Sequence, residues 1–455
     1  MNGAAMAERL RLGGHTITIT ANLAARVGAI GALWAASLLV ARTGGAAAVG
    51  TLALLRVLPW FAGLLLSCGL YGAAPYFLSG PGRTEPRYRA TLPAMAATAG
   101  VVGAVLWVAT APFFGPRFLP ELSRPLLLAA GITVFTQAME TTAKCCSQGF
   151  DDMAGSNRII VLEELLFVPI YGIAVAAGAS PYLAMIVALP LGDVLCGGSG
   201  WIRLWRRGYF RGAGRPSVRL ARHIAGYGTR AELNSVTLLL NGRLDFLIVT
   251  YLVGPGALGI YAVASRTAEL LRLPSLAINY VLYPAYARLS PSAAAIQARA
   301  AIRRTWWVPV VLAVPAAAAT PVVLPLAYGH SFRAAVIPTW ILLVGMAGSS
   351  VYGVLSAFLS GVGRPGLTSI AQAAGLVVTV ALDLALIPHL GITGAATAST
   401  FAYLTTTCVL IVCFRATQAR PHARDARNPN AKSGVPPPAK RVTVPPRPLP
   451  TDHEG

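Results

Sequence analysis

The sequence predicts an all-α polytopic membrane protein, with about twelve transmembrane helices in two six-helix bundles around a central cleft. Of its 455 residues, 55% are hydrophobic and only 12% are charged, a composition that soluble domains do not show. The mean hydropathy is accordingly positive, at +0.62. The apolar residues gather in stretches of roughly 20, the length of helix that crosses the hydrocarbon layer of a bilayer.

Hydropathy places the transmembrane spans in a regular series along the chain. Their centres are expected near Ile30, Leu64, Val102, Val134, Pro169, Leu189, Leu239, Leu273, Leu312, Val351, Val377 and Ala402. The first apolar stretch, residues 21–41, is long enough to cross a membrane and is followed by "RTGG" rather than by a small-residue cleavage site. We therefore interpret it as the first helix and expect no secretory signal peptide.

The basic residues are concentrated in every second connection between the predicted spans. The formal net charge is +21, but the arginines separate apolar stretches instead of forming a stripe on a soluble domain, so we expect no nucleic-acid partner. One set of connections, which includes residues 203–230, is rich in arginine. The alternate set contains only Arg42, Arg117, Arg124 and Arg333. Because positive residues mark the cytoplasmic side, both termini are expected in the cytoplasm.

Two changes of composition divide the chain. The basic connection at residues 206–228 is expected to separate an N-terminal bundle, residues 1–205, from a C-terminal bundle, residues 229–414. Its last part, "SVRLARHIAGYG", is expected either to fix the orientation of the chain or to lie on the anionic inner leaflet. Residues 415–455 combine proline with scattered charge and few large apolar residues, so they are expected to form a disordered, basic cytoplasmic tail.

The two halves carry similar segments. "TGGAAAVGTLALLR" at residues 43–56 and "VGPGALGIYAVASR" at residues 253–266 each join the first two helices of a half and end in arginine. An internal repeat is therefore expected, and an even number of spans in each half keeps both repeats in the same orientation. Two such bundles facing each other would leave a cleft between them.

Polar and charged side chains fall on single faces of several spans, which indicates an interior cavity rather than lipid. The candidate substrate-binding residues are Asn22, Arg26, Arg56, Gln137, Lys144, Asn241, Arg266 and Arg272. The candidate ion-coupling or salt-bridge residues are Glu140, Glu232, Asp245, Glu269 and Asp383. The six cysteines lie in or beside the spans without metal-ligand spacing, so no metal or cofactor site is expected.

The charged residues of the spans allow two interpretations. One is internal pairing, of Glu140 with Lys144, of Arg266 with Glu269 and of Arg243 with the nearby Asp245. The other is a ligand or a water-filled cavity, and it is favoured for Arg26 and Arg56, which have no carboxylate within a turn of helix. Because the side chains without a local partner are basic, the sequence indicates an anionic cargo.

Several segments carry a family resemblance. "LVGPGALGIYAVASR", "YGHSFRAAVIP", "FLSGVGRPGLTS" and "DLALIPHLGITGAATAST" resemble the C-terminal half of polysaccharide-export flippases in the multidrug/oligosaccharidyl-lipid/polysaccharide superfamily. The likeness covers residues 10–414. The lipid II flippases of this superfamily usually have two further helices, which this chain lacks, and they carry cavity arginines on the first, second and eighth helices. Arg26, Arg56 and Arg266 lie on those helices here.

The resemblance implies transport of an undecaprenyl-diphosphate-linked oligosaccharide from the inner to the outer leaflet, by alternating access and without covalent chemistry. Guanidinium groups suit this cargo because they bind diphosphate oxygens through charge-assisted, often bidentate hydrogen bonds. The implied partners are the lipid-linked glycan, membrane lipids and the glycosyltransferases or polymerase of the same pathway. The protein is expected to work as a monomer, without a cofactor and not as an enzyme.

Two other functions stay open at this point. A cation-coupled multidrug antiporter of the same superfamily should have a cavity dominated by carboxylates, whereas the first span here has none; Asp245 and Asp383 keep that alternative open. A membrane glycan polymerase or ligase would need an external loop that presents catalytic groups. The longest external connection expected here, "PFFGPRFLPELSRP", has Glu121 as its single carboxylate.

The arginine asymmetry yields a test of topology. We expect a cysteine introduced at Arg211 to be labelled by a membrane-impermeant thiol reagent only after the cells are opened, because the basic connection is cytoplasmic. The experiment uses a background without native cysteines, and a cysteine at Arg124 is the external control. Labelling at position 211 in intact cells would contradict the topology.

Overall fold

The computed structural model describes residues 3–80, 85–272 and 289–419, together with Leu282 and Tyr286. Side chains are described for these residues except 3–23, 230–235, 238 and 419. Throughout this part of the chain the regular secondary structure is helical. The segment 420–455, which contains most of the predicted disordered tail, lies outside the described residues.

Ten helices precede residue 272. They are α1 (Gly3–Leu66), α2 (Leu70–Ser79), α3 (Arg87–Phe118), α4 (Arg124–Ala129), α5 (Ile132–Gly149), α6 (Met153–Leu165), α7 (Phe167–Ala176), α8 (Pro181–Arg206), α9 (Val218–Val253) and α10 (Pro255–Glu269). After residue 289 follow α11 (Pro291–Thr305), α12 (Trp307–Tyr328), a 3₁₀ helix (His330–Ala335), α13 (Val336–Gly348), α14 (Tyr352–Gly361), α15 (Pro365–Leu390) and α16 (Ile392–Ala419).

Proline and serine mark where several of these helices begin. Pro181, Pro255, Pro291 and Pro365 each occupy a first helical position, where the missing N–H has no partner to lose. The side chains of Ser180 and Ser290 cap α8 and α11 by accepting backbone N–H groups of the first turn. These caps fix the helix starts just after the connecting turns.

Nine helical stretches within the described ranges are long and apolar enough to cross a membrane. The first of them, Ala24–Leu66, has 43 residues, and α1 is broken inside it at Gly45, where φ is 72°. A left-handed residue of this kind favours glycine and divides α1 into the first and second predicted spans. This is the fold of a multi-pass membrane protein with two helical bundles, so the predicted fold class is confirmed.

The predicted span centres agree with the helices. Ten of them lie inside helices, Val351 lies in the turn between α13 and α14, and Leu273 lies outside the described residues. The predicted limits of the two bundles stay a prediction. At the expected boundary after residue 228, α9 continues without a break.

The outer surface of the helices suits a lipid environment. Within the stretch Pro291–Tyr328, the most apolar window of 18 residues has a mean hydropathy of 2.1, yet only 11% of that window is buried inside the protein. Phe113, Val314 and Leu326 are among the large apolar side chains left exposed. In water such a surface would be unfavourable, whereas in a bilayer it contacts acyl chains at no cost.

The basic amphipathic segment before the seventh span is the start of α9. Its apolar side chains Leu220 and Ile224 are buried in a cluster with residues of α2 and α3. Tyr88 on α3 hydrogen-bonds His223 with 3.0 Å between the hydroxyl oxygen and Nδ1. Because protein covers these two side chains, they are not free to enter the leaflet, whereas Val218 is exposed, and contact of the segment with the membrane surface stays a prediction.

Asp152 joins two helices at the arginine-rich side, in the turn between α5 and α6. Its carboxylate accepts hydrogen bonds from Arg203 and from the backbone N–H of Gly155, and it forms an ion pair with Arg207 at 2.6 Å. Burial alone would raise the pKa of Asp152, but these interactions outweigh it and lower the pKa to about 2. The ionised carboxylate therefore holds the start of α6 against the end of α8 at neutral pH.

Helices α1 and α10 make a backbone-to-backbone contact, although the sequence assigns them to different bundles. A Cβ atom added at Gly50 would overlap the carbonyl oxygen of Pro255, and one added at Gly259 would overlap the carbonyl oxygen of Ala46. Only glycine permits such a close approach of two helices. The contact brings the two arginine-bearing repeat segments side by side.

We expect Gly50→Ala and Gly259→Ala each to destabilise the protein by about 1–3 kcal/mol, because the helices must move apart to accept a methyl group. Gly31→Ala is the matched control, since it lies on the same helix as Gly50 with no heavy atom within 4 Å of the added Cβ. Thermal unfolding of the purified variants in detergent measures the effect. Equal stability of Gly50→Ala and Gly31→Ala would contradict the close contact.

Candidate functional site

Arg266 is a buried cation with no ion-pair partner among the described residues. It lies on α10 with 9% of its surface exposed, and its Nη1 is buried with no hydrogen-bond acceptor among the described atoms. The charges near it include the cations Arg56 and Arg243 and the carboxylates of Glu164 and Glu269. Among the described residues, no carboxylate lies within salt-bridge distance of Arg266. This arrangement leaves the guanidinium of Arg266 available to an anionic ligand.

Arg56 approaches the same region from α1, but it is paired. Its guanidinium forms an ion pair with Glu164 on α6 and lies over the ring of Phe167, 5.2 Å from the ring centroid. The sequence-based search for carboxylates covered one turn of the same helix and missed this contact between helices. The interpretation of Arg56 as a residue without a counter-charge is therefore wrong.

A second charged group surrounds Lys144 on α5. Its Nζ lies 3.3 Å from Glu140 and 2.8 Å from Glu163. The predicted pairing of Glu140 with Lys144 is thus confirmed, and α6 supplies a further carboxylate. Nearby, Asp193 on α8 accepts a hydrogen bond of 2.7 Å from Thr136.

These groups border a small cavity in the N-terminal part of the protein, with about 350 Å³ of space. Gln137, Arg56, Glu163 and Asp193 line it. Sequence analysis included Gln137 and Arg56 but missed Glu163, Glu164 and Asp193. The adjacent pair "EE" within an otherwise apolar span was a signal that could have found the first two.

The predicted pairings on α9 and α10 are wrong. Arg243 does not pair with its neighbour Asp245, and Glu269 does not pair with Arg266. Instead, Nη1 of Arg243 donates to Glu269 across the two helices, at 2.9 Å. Glu269 is the carboxylate nearest to Arg266 in sequence. Because Glu269 pairs with Arg243, Arg266 has no ion-pair partner among the described residues.

Two carboxylates are buried deeper in the C-terminal part. Asp245 accepts hydrogen bonds from the hydroxyl of Tyr261 at 2.6 Å and from the backbone N–H of Phe246 at 2.9 Å. Asp383 on α15 is fully buried, and neither of its carboxylate oxygens has a hydrogen-bond partner among the described atoms. A buried carboxylate without a donor requires a proton or a cation.

A larger cavity, called the C-terminal pocket below, opens beside these helices with about 800 Å³ of space. The side chains that define it are Asn241, Arg272, Tyr352, Gln372, Tyr403 and Thr406. The structure thus brings the predicted residues Asn241 and Arg272 together, in a different cavity from Gln137 and Arg56. The predicted site residues therefore divide between two cavities, with Arg266 near the charged residues of both halves.

Three predicted site residues are not among the lining residues and contacts given above. Arg26 is half-buried on α1. The side chains of Asn22 and Glu232 lie outside the described residues.

The ion pair of Arg56 with Glu164 can be tested by a double-mutant cycle. We expect Arg56→Ala to lower stability by about 1–3 kcal/mol, because it leaves a partly buried carboxylate without its cation. Adding Glu164→Ala should recover part of this loss, whereas the exposed Arg158→Ala on α6 should have little effect. Thermal unfolding of purified protein is the measurement, and strictly additive losses would contradict the pairing.

Comparison with known structures identifies the fold. An inward-facing multidrug resistance MATE family transporter of the MOP superfamily superposes with a TM-score of 0.71 at 14% identity, over 89% of this chain and 99% of that one. Lipid II flippase MurJ in an inward closed conformation gives 0.74 at 12% identity, over 88% and 87%. A MOP superfamily transporter from Pyrococcus furiosus, described as having a binding pocket of reverse polarity, gives a TM-score of 0.62 at 17% identity, over 89% and 95%.

Comparison of sequences identifies the family. No curated protein matches the chain. A family model described as "Polysaccharide biosynthesis protein" matches residues 40–337, which is more than half of the chain and includes both arginine-bearing repeat segments. The chain, with the fold of MOP superfamily transporters, therefore belongs to this family of polysaccharide biosynthesis proteins.

Proposed function

We propose that the protein is a flippase that moves an undecaprenyl-diphosphate-linked oligosaccharide from the inner to the outer leaflet of the bacterial cytoplasmic membrane. The observation that carries the proposal is Arg266, a buried guanidinium with no ion-pair partner among the described residues. The family and the transporter fold support a role in moving an intermediate of polysaccharide biosynthesis. The movement would occur by alternating access between the two bundles.

The balance of charge around Arg266 favours an anion. Arg56, Arg243 and Arg266 contribute three positive charges, while Glu164 and Glu269 contribute two negative ones. A buried charge without compensation is costly, so the excess positive charge is stabilised when an anion enters. A diphosphate is multiply charged, and its oxygens match the planar guanidinium fork.

The diphosphate, the glycan and the polyprenyl chain of the cargo would each occupy a different environment. The diphosphate would bind between the arginines of α1 and α10, and the glycan would occupy a polar cavity. The polyprenyl chain would stay in the bilayer against the exposed apolar surface. Glycosyltransferases would supply the cargo and a polymerase would consume it, and one copy of the chain would contain all the binding groups.

A cation-coupled multidrug antiporter is the second candidate, and one observation favours it. Asp245 and Asp383 are buried carboxylates in the C-terminal part, and Asp383 has no hydrogen-bond partner among the described atoms. Either could bind a proton or a metal cation that drives transport. In the flippase, Glu140 and these two residues are candidates for the same coupling role.

We expect Arg266→Ala to lose most glycan export, because it removes the uncompensated cation, and Arg266→Lys to keep part of it, because the charge remains without the fork. Arg26→Ala and Arg56→Ala should also lose export if the three arginines form one site. The measurement is complementation of surface-glycan export in a strain that lacks the gene, with membrane levels of each variant verified by blotting.

Arg215→Ala is the matched control, since Arg215 is exposed in the basic connection and should serve only orientation. Normal export by all three cavity variants would contradict the cationic site. If, in addition, the protein conferred drug resistance that Asp383→Asn abolished, the antiporter would replace the flippase.

A further inference from the structure

The C-terminal pocket has a lining suited to a hydroxyl-rich ligand. Its side chains carry amide, hydroxyl and phenol groups, and its described lining residues include no carboxylate. The pocket holds about 800 Å³ of space, which includes the part that is open to its surroundings.

A chain of hydrogen bonds crosses the pocket. Nδ2 of Asn241 donates to Oε1 of Gln372 at 2.6 Å, and Nε2 of Gln372 donates to the hydroxyl oxygen of Tyr352 at 2.7 Å. Because Tyr352 accepts in this chain, its own hydroxyl proton is left for another acceptor. The chain of hydrogen bonds thus ends in a hydroxyl donor of a residue that lines the pocket.

Two further polar atoms of the lining lack partners. Oδ1 of Asn241 and Oγ1 of Thr406 are buried without a hydrogen bond among the described atoms. Each unsatisfied group of this kind costs about 1–3 kcal/mol, and both atoms are covered by protein rather than open to the pocket. A sugar hydroxyl both donates and accepts, so a ring hydroxyl matches the free donor of Tyr352.

Arg272 gives the pocket its charge. It lines the cavity and is exposed, and no described carboxylate lies within salt-bridge distance of it. The carboxylate of Glu269, one helical turn earlier, already accepts a hydrogen bond from Arg243. The pocket therefore combines neutral hydrogen-bonding groups with one cation that has no counter-ion.

We propose that the C-terminal pocket binds an acidic sugar of the carried glycan, with Arg272 paired to the sugar carboxylate and Asn241, Gln372 and Tyr352 bonded to its hydroxyls. The rings of Tyr352 and Tyr403 offer apolar surface to the C–H face of the sugar. This inference rests on the proposed function, and it assigns the glycan to a cavity separate from the diphosphate site at Arg266. The cargo class is then a lipid-linked oligosaccharide that contains a uronic acid or a similarly carboxylated sugar.

Ligand-dependent thermal stability of the purified full-length protein in nanodiscs tests the proposal, because a ligand that binds the folded state raises the unfolding temperature, and at a given concentration the rise is larger for higher affinity. The probes are D-glucuronate, D-glucose and acetate. We expect saturable stabilisation by glucuronate, at least about tenfold weaker binding of glucose, which corresponds to about 1.4 kcal/mol, and no saturable effect of acetate.

Variants of the pocket should change these affinities in a defined way. Arg272→Gln should remove the preference for glucuronate over glucose, Arg272→Lys should retain part of it, and Tyr352→Phe should weaken both sugars. The unfolding temperature without ligand shows whether each variant is folded. No saturable binding of glucuronate by the unmodified protein, or an unchanged preference in folded Arg272→Gln and Arg272→Lys, would overturn the proposal.

Inorganic pyrophosphate separates this proposal from the proposed function. Arg266→Gln should lose pyrophosphate binding and keep glucuronate binding, whereas Arg272→Gln should show the reverse pattern. The exposed Arg215→Gln should change neither. If pyrophosphate fails to bind while glucuronate binds at the pocket, the diphosphate site is wrong; if glucuronate alone fails, the acidic-sugar pocket is wrong.

Discussion

A charge inside an apolar helical bundle is stable only beside an opposite charge, water or a ligand, and this constraint governs the arrangement of the interior. Lys144 bridges two carboxylates, Arg56 pairs with Glu164, and Arg243 pairs with Glu269. Lys144 with Glu163, Arg56 with Glu164 and Arg243 with Glu269 each join two different helices and so fix how they pack. Among the described residues, Arg266 and Asp383 are buried without such a pair. Arg266 is the cation of the two and is left unpaired because the carboxylate nearest to it in sequence is already occupied, and the proposed function follows from it.

The glycine contact explains how the arginines come together. Gly50 and Gly259 let α1 and α10 approach at backbone distance, and Arg56 and Arg266 follow these glycines by about two turns of helix. The two repeats therefore present their arginines to a common region. The two repeats differ in how the charge of their arginine is balanced. Arg56 in the first repeat pairs with Glu164, whereas Arg266 in the second has no ion-pair partner among the described residues. An anion would thus be held by the interaction of both halves.

The fold could be predicted because the hydropathy and the length of each span depend only on the local amino-acid sequence. Glu140 and Lys144 could be paired from sequence because they lie one turn apart on α5. Arg56 with Glu164 and Arg243 with Glu269 could not, since those contacts depend on which helices pack together. For the same reason, the residues predicted as one site divide between two cavities, and only the three-dimensional arrangement shows the chain of hydrogen bonds that ends at Tyr352.

Movement of a lipid across a membrane tests the central claim most directly. Purified protein is reconstituted into vesicles that contain a fluorescent undecaprenyl-diphosphate-linked oligosaccharide, and an impermeant quencher measures how fast label from the inner leaflet becomes accessible. The account predicts faster exchange with the unmodified protein than in protein-free vesicles, and return to the protein-free rate with Arg266→Ala. Equal rates for the unmodified protein and protein-free vesicles, or for Arg266→Ala and the unmodified protein, would contradict it.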